Sequence, residues 1–594
     1  MRDFNEHHLS STDKKTLKRI WHYIKPHKFK FFLSFGLMII NILGDVMLPL
    51  MFGLAVDMLL NPDLSFDQKL MIVIIGAVVV FAFLVFLQIL GFFQQLMLQK
   101  IGLSVTQTIR EEVFDHIEEL SIGQINTLPV GKLVTRVMND PNTISNMFTD
   151  VIVSFIRNIG LIIFYLIALI VLSWLMGLIV LALFPVIVVA SIIFQKYSRK
   201  AFRQVRNNLA DVNAFLSENI SGMKVTQVFN QEEKKLNEFN TKNKTLRKTH
   251  MTEIILFGLY RPFVYVIGMA GVLITLYFGV GLIAAGALSI GMFVSFFTFV
   301  QQLFDPVQMI SEQFNQFQSG FASAEKVFDV LDTLPLITDA ESSVELKSFS
   351  GNIEFKNVWF AYEEENWVLK DVSFKIKKDE TVAFVGSTGS GKSTILSLIV
   401  RNYEVQKGEV LLDGIDVKTI KHSSLRKHIG QMLQDVFLFS GTINDNITLF
   451  NEDISKEAVI EASEYVGLNN FIDKFDDGYE HQVLERGNNF SAGERQLISF
   501  ARAVVYRPTL MILDEATANI DSETEHVIQA SLEKMMNIST MIIVAHRLST
   551  IQHSDKIIVM QKGEIKEQGS HQELLKQQGI YHGLYQLQVD SKEV

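Results

Sequence analysis

Residues 381–394 read TVAFVGSTGSGKST. An apolar run, a glycine-rich loop and a helical start follow one another without a gap. Gly386 through Ser393 fit G-x-x-x-x-G-K-[ST], in which glycines let backbone N–H groups wrap phosphates. The lysine at the sixth step, Lys392, reaches the β- and γ-phosphates, and the Ser393 hydroxyl is placed to ligate Mg²⁺. The stretch predicts a strand, a phosphate loop (Gly386, Ser387, Thr388, Gly389, Ser390, Gly391) and a helix opening at Lys392–Thr394.

Around it the chain alternates short β-rich runs with helical stretches: NIEFKNVWFAY, VSFKI, MILDEA, TMIIVAH and KIIVM. That alternation predicts an α/β domain with a largely parallel sheet over 351–594. LMILDE (510–515) is an apolar strand ending in two acids. Asp514 suits the outer shell of Mg²⁺, and Glu515 suits polarising an attacking water. Another apolar strand ends at His546, a candidate sensor of the γ-phosphate. Gln434, in IGQMLQD, is a candidate to touch both Mg²⁺ and that water, and Tyr362 is a candidate to stack on adenine.

The N-terminal half is of another kind. The 594 residues are 48% hydrophobic with a mean hydropathy of +0.24, high for a soluble enzyme of this length. Apolar runs long enough to span a bilayer lie near 31–56, 70–93, 151–173, 175–195, 262–283 and 290–304, the last continuing in helical pattern through about 325. The connections 99–150 and 196–253 are long and rich in basic residues, whereas 61–68 carries neither Lys nor Arg. The positive-inside rule then places both termini and both long connections in the cytoplasm. Those connections keep a helical apolar pattern, so spans continuing past the membrane are expected. The polar first 30 residues do not read as a secretory signal. Leu17, Ile20, Trp21 and Ile24 share a helical face there, which predicts a short helix on the membrane surface. The expected order is thus 1–30 amphipathic segment, 31–325 six-span domain, 326–350 linker and 351–594 nucleotide-binding domain. The net charge of −10 does not favour nucleic acid as a partner, and the lack of cysteine excludes disulfides and thiolate sites.

FSAGERQ (490–496) places small residues ahead of a helical run. Ser491 caps that helix, and the same unpaired N–H groups suit a phosphate. The order Tyr362, phosphate loop, Gln434, 490–494, Asp514–Glu515, ANID (518–521) and His546 resembles the ATP-binding cassette exporters over nearly the whole chain. The resemblance implies a type I exporter (type IV) fold, with six α-helical spans followed by the α/β P-loop domain. It implies ATP and Mg²⁺ as cofactors and a second half-transporter as partner. Ser491 and Gly493 would then cover ATP held by the partner, and Asp521 would join the nucleotide site. It further implies coupling helices near Ser121–Asn126 and Ser221–Thr226, docking near Gln434, and a bacterial cytoplasmic membrane.

The family signature usually reads Leu-Ser-Gly-Gly-Gln; here Ala492 and Glu494 depart from it. Glutamate at the last position occurs elsewhere in the family, whereas Ala492 adds a methyl where the partner's ATP would sit; that change beside intact hydrolytic residues favours a heterodimer over a homodimer. Amphipathic small molecules are the expected cargo, with a lipid or lipid precursor, or a peptide, as alternatives; a non-transporting channel is disfavoured by Glu515 and His546. Asp45 either attracts cationic substrates or pairs with Arg157 or Arg261. Phe293, Phe296, Phe297 and Phe304 offer a face for flat apolar substrates, or serve packing and lipid contact.

Overall fold

A computed structural model describes residues 11–363, 365–514, 522–536, 538–544 and 551–590. The chain divides into two units. One holds the residues up to Glu119 together with Leu128–Leu334; the other holds Leu120–Thr127 and everything from Pro335.

The first unit is helical: α1 (Ser11–Ile24), α2 (Lys28–Leu60) and α3 (Phe66–Glu119), then, after α4 (Ile122–Thr127) of the second unit, α5 (Val130–Asn146), α6 (Ile152–Leu172), α7 (Trp174–Ser221), α8 (Met223–Val228), α9 (Glu232–Ala284), α10 (Ile290–Gln302) and α11 (Phe304–Leu331). Among the described residues six helical stretches are long and apolar enough to cross a membrane. The 54 residues of α3 extend about 80 Å at 1.5 Å per residue, far beyond a hydrocarbon core. A π-helical turn, Met147–Val151, joins α5 to α6.

Helix α1 packs one apolar edge against the bundle. Ile20 and Ile24 are buried in the bundle's own core, while Trp21 stays exposed. Arg19 donates to both carboxylate oxygens of Asp332, at 2.8 and 2.7 Å, and lies 4.2 Å over the Phe328 ring. The predicted linker starts too early. Helix α11 runs on to Leu331 because Val327 and Phe328 continue the buried apolar face.

At the far ends of the first and last spans, α2 and α10 meet closely. Asp57 accepts from the Ser289 hydroxyl at 2.5 Å and from Gly291 N–H at 2.6 Å, so a carboxylate on α2 caps α10. Ser295 donates to the Pro49 carbonyl at 2.8 Å, and a Cβ on Gly291 would collide with the Gly53 carbonyl. Glycine is required at both positions by backbone proximity.

The second unit is α/β. Strands β1 (Ile353–Ala361), β2 (Trp367–Ile376), β4 (Lys407–Leu412) and β5 (Ile415–Asp416) form an antiparallel sheet in the order β2-β1-β4-β5. The main sheet is ordered β12-β11-β3-β10-β9-β6, from β3 (Thr381–Val385), β6 (Ile429–Met432), β9 (Leu510–Asp514), β10 (Thr540–Val544), β11 (Lys556–Gln561) and β12 (Glu564–Gly569), with β12 alone antiparallel to its neighbour. A two-stranded ribbon pairs β7 (Gly441–Thr442) with β8 (Gln482–Val483). The central strands alternate between two cores. Val382, Phe384, Ile542 and Val544 face one; Ala383, Val385, Ile543 and Leu513 face the other. The helices that matter below are α12 (Lys392–Ile399) and the later helix Ala492–Val505.

Candidate nucleotide site

Register fixes the site's position. Val544 pairs with Phe384 on one side and Asp514 on the other, and Met432 pairs with Leu513. The carboxyl ends of β3, β10, β9 and β6 therefore lie along one sheet edge. The phosphate loop leaves β3 at this edge, Asp514 ends β9 there, and Gln434 follows two residues after β6, exposed. Parallel α/β sheets bind ligands at such an edge.

The loop itself is built for backbone donors. Gly386, Gly389 and Gly391 have φ of 155°, 80° and 101°. A Cβ on Gly386 would strike the Met560 carbonyl, and one on Gly391 would come within 2.6 Å of Leu369. Ser387, Thr388 and Gly389 are exposed at the loop's crest, as is Ser393, whereas Ser390 is buried with its hydroxyl unpartnered. Lys392 Nζ donates to the Gly386 and Ser387 carbonyls at 2.8 and 3.0 Å. Burial lowers the Lys392 pKa, and the nearby Asp514 charge opposes that shift. The cradle, an unsatisfied hydroxyl and a lysine held against carbonyls that a phosphate could replace together fit a bound triphosphate.

Tyr362 closes β1 half-exposed. Its hydroxyl lies 3.1 Å from Thr394 Oγ1, and its ring stands edge-on to Phe360 and Tyr403 at 4.9 and 5.0 Å. Glu515, Asp521 and His546 lie outside the described residues.

Ser491 is the N-cap of the helix Ala492–Val505. Its hydroxyl accepts from Glu494 N–H at 3.2 Å, and Glu494 Oε2 accepts from Ser491 N–H at 2.7 Å. This reciprocal pair is a capping box. Sequence reasoning noted Glu494 only as a signature departure and missed its capping role, although Ser-x-x-Glu ahead of an apolar run was the signal. Ser491 is exposed and Gly493 buried, so the two predicted donors differ in how much surface they offer.

Two sequence profiles match this chain: one described as ABC transporter transmembrane region, over residues 31–307, and one described as ABC transporter, over 369–518. The chain belongs to the ABC exporters, as a half-transporter. Among its relatives is the Bacillus subtilis protein named "Probable multidrug resistance ABC transporter ATP-binding/permease protein YheH", 38% identical over 90% of this chain and 78% of that one. A Bacillus subtilis protein named "Uncharacterized ABC transporter ATP-binding protein YknV" is 34% identical over 96% and 94%. An "ATP-dependent lipid A-core flippase" of Syntrophus aciditrophicus is 32% identical over 85% and 84%. This ABC exporter is a multi-pass membrane protein whose C-terminal domain binds ATP and couples its hydrolysis to transport.

The substrate candidates read differently in three dimensions. Asp45 accepts from Arg157 Nη2 at 3.1 Å, the ion-pair alternative raised from sequence. Arg261 lies 5.9 Å from the Phe257 ring centre. Phe296 and Phe304 are buried in the helical core, and Phe293 and Phe297 pack half-buried against it. Phe296 and Phe304 therefore serve packing, while Phe293 and Phe297 keep part of their surface open. The position expected for the first coupling helix holds α4, whose Gly123 lies against the Tyr403 ring. The second is α8, about two residues later than expected, with Val225 and Val228 exposed.

Proposed function

We propose that this half-transporter exports amphipathic small molecules and does so paired with a different half-transporter. The observation that carries the cargo reading is the neutralised arginine of the third span. An ionised side chain within a membrane span is costly unless paired, and Arg157 is paired with Asp45. A cargo phosphate would have to break that pair to reach this arginine. Partly buried Phe293 and Phe297, on the last span, suit apolar, weakly charged ligands. A relative named for multidrug resistance agrees with this reading. A relative named as a lipid A-core flippase favours lipid translocation as the second reading.

In the nucleotide site, residues Gly386–Thr394 would hold the triphosphate, with Lys392 exchanging its two carbonyl partners for phosphate oxygens. Tyr362 would carry the adenine. Ser393, Gln434 and Asp514 would hold Mg²⁺, which would neutralise phosphate charge. Glu515 would orient water, His546 would read the γ-phosphate, and Asp521 would line the same site. The Ser491 helix end would complete the partner's site. Its Glu494 carboxylate, drawn onto the cap, would place negative charge where that phosphate arrives; together with Ala492 this supports an asymmetric pair. Both termini and the long connections would be cytoplasmic, in a bacterial cell membrane.

The test is transport into inside-out vesicles carrying the reconstituted transporter. ATP-dependent, saturable accumulation of an amphipathic dye is expected, with no flip of a fluorescent lipid. Lipid flip without dye accumulation would instead establish the second reading.

A further inference from the structure

The loop after α12 is a junction. Arg401, only 2% exposed and at φ 56°, donates to Asp339 Oδ1 at 3.2 Å, the Ile420 carbonyl at 2.8 Å and Glu404 Oε1 at 2.9 Å. Asp339 lies in the segment leading into the nucleotide domain, so this loop grips the chain's entry. Two residues on, Tyr403 faces the coupling helix. A Cβ built on Gly123 would lie 2.6 Å from the Tyr403 ring. Only glycine lets α4 sit this close. Helix α4 is also fastened on its other side, because Gln124 Oε1 accepts from Leu336 N–H at 3.0 Å.

Behind Tyr403 stands the nucleotide site. The rings of Tyr403 and Tyr362 meet edge-to-face, with centres 5.0 Å apart and planes at 85°. The Tyr362 hydroxyl in turn meets Thr394 in the first turn of α12. The path Gly123–Tyr403–Tyr362–Thr394 therefore consists of direct contacts and lies wholly in one unit. Aromatic rings packed edge-to-face cannot turn independently, so a base laid on Tyr362 presses on Tyr403.

We propose that Tyr403 is a positioning residue that transmits occupancy of the nucleotide site to the coupling helix. The proposal rests on the reading that Tyr362 carries the adenine. The chain has no cysteine, so Asn126→Cys on α4 gives a single site for an environment-sensitive fluorophore. In full-length protein in lipid nanodiscs, two quantities are measured as Mg-ATP is added: ATP affinity, and the fluorophore's response. Tyr362→Ala is expected to weaken ATP binding about ten-fold, the scale of one lost aromatic stack. Tyr403→Ala is expected to leave ATP affinity within about three-fold while removing most of the label response, a split that general unfolding would not produce. Tyr403→Phe restores the ring and should restore the response. Gly123→Ala, which drives a methyl group into that ring, should alter the response without changing affinity and serves where Tyr403→Ala folds poorly. A full response in both Tyr403→Ala and Gly123→Ala overturns the relay whatever Tyr362 does. Unchanged affinity in Tyr362→Ala overturns the adenine reading, and with it the nucleotide end of the relay.

Discussion

Glu494 shows how one atom can serve two ends. Its carboxylate closes a capping box with Ser491 while adding charge to a helix end that family members direct at a phosphate. Glu494→Gln keeps the hydrogen bond and removes the charge. We expect a stability loss of about 0.3–1 kcal/mol, the scale of a charge at a helix end, together with faster hydrolysis at the partner's site; thermal unfolding and ATPase assays of the paired transporter check both. At the phosphate loop, Lys392→Ala should lower hydrolysis by about 10²-fold or more, since it removes a charge aimed at the transferring group. A variant that retains full activity would remove Lys392 from the site. Much of this was legible at residue level, because phosphate chemistry demands glycines, a lysine and a hydroxyl at fixed spacing. Tyr403 and Arg401 were not, because nothing local marks an aromatic or a buried arginine as a meeting point; their partners, Gly123 and Asp339, are distant in sequence.

Elements were read well where their period was long and clean. The six spans and their extensions past the membrane follow from sustained apolar helical pattern, as do the strands that feed the phosphate loop. Strands β4, β6 and β12 were missed with the two-residue strands: KGEVLL and EIKEQG mix in charge, and IGQM is four residues long. The capping of α10 by Asp57 was missed too, since an acid at the end of one span does not announce which other helix it serves. Asp57→Ala leaves the Gly291 N–H without its partner and should cost about 1–3 kcal/mol, read as a lower unfolding temperature in nanodiscs; an unchanged value would mean water replaces the carboxylate. Helix α13 (His422–Lys427) supplies a pH dependence. Burial, then the Arg401 and Arg426 charges, push the His422 pKa below its ordinary value. The folded protein therefore holds this ring neutral while the unfolded chain protonates it more readily. Stability is full above about pH 6.5 and declines as pH falls below it. His422→Gln should flatten that decline in thermal melts between neutral and mildly acidic pH.

At the scale of the molecule, the prediction concerns completeness. If the pair is asymmetric, the chain alone in nanodiscs hydrolyses little Mg-ATP above a Glu515→Gln blank, and a second half-transporter restores the rate. Vigorous hydrolysis alone would establish self-sufficiency and end the heterodimer reading. Residues on the exposed tip, Val225, Val228 and Phe229, mark apolar surface such a partner could cover. Helix α4 has a further consequence, and it concerns time. It belongs structurally to a domain whose remainder begins at Pro335. Roughly two hundred residues separate its emergence during synthesis from that of its first neighbours, a wait of about 10–40 s at typical rates of chain growth. Throughout that interval the nascent helix has no seat. Any fragment of the nucleotide domain cut at the linker would keep the seat and lose the helix, uncovering the face of Tyr403 that Gly123 meets.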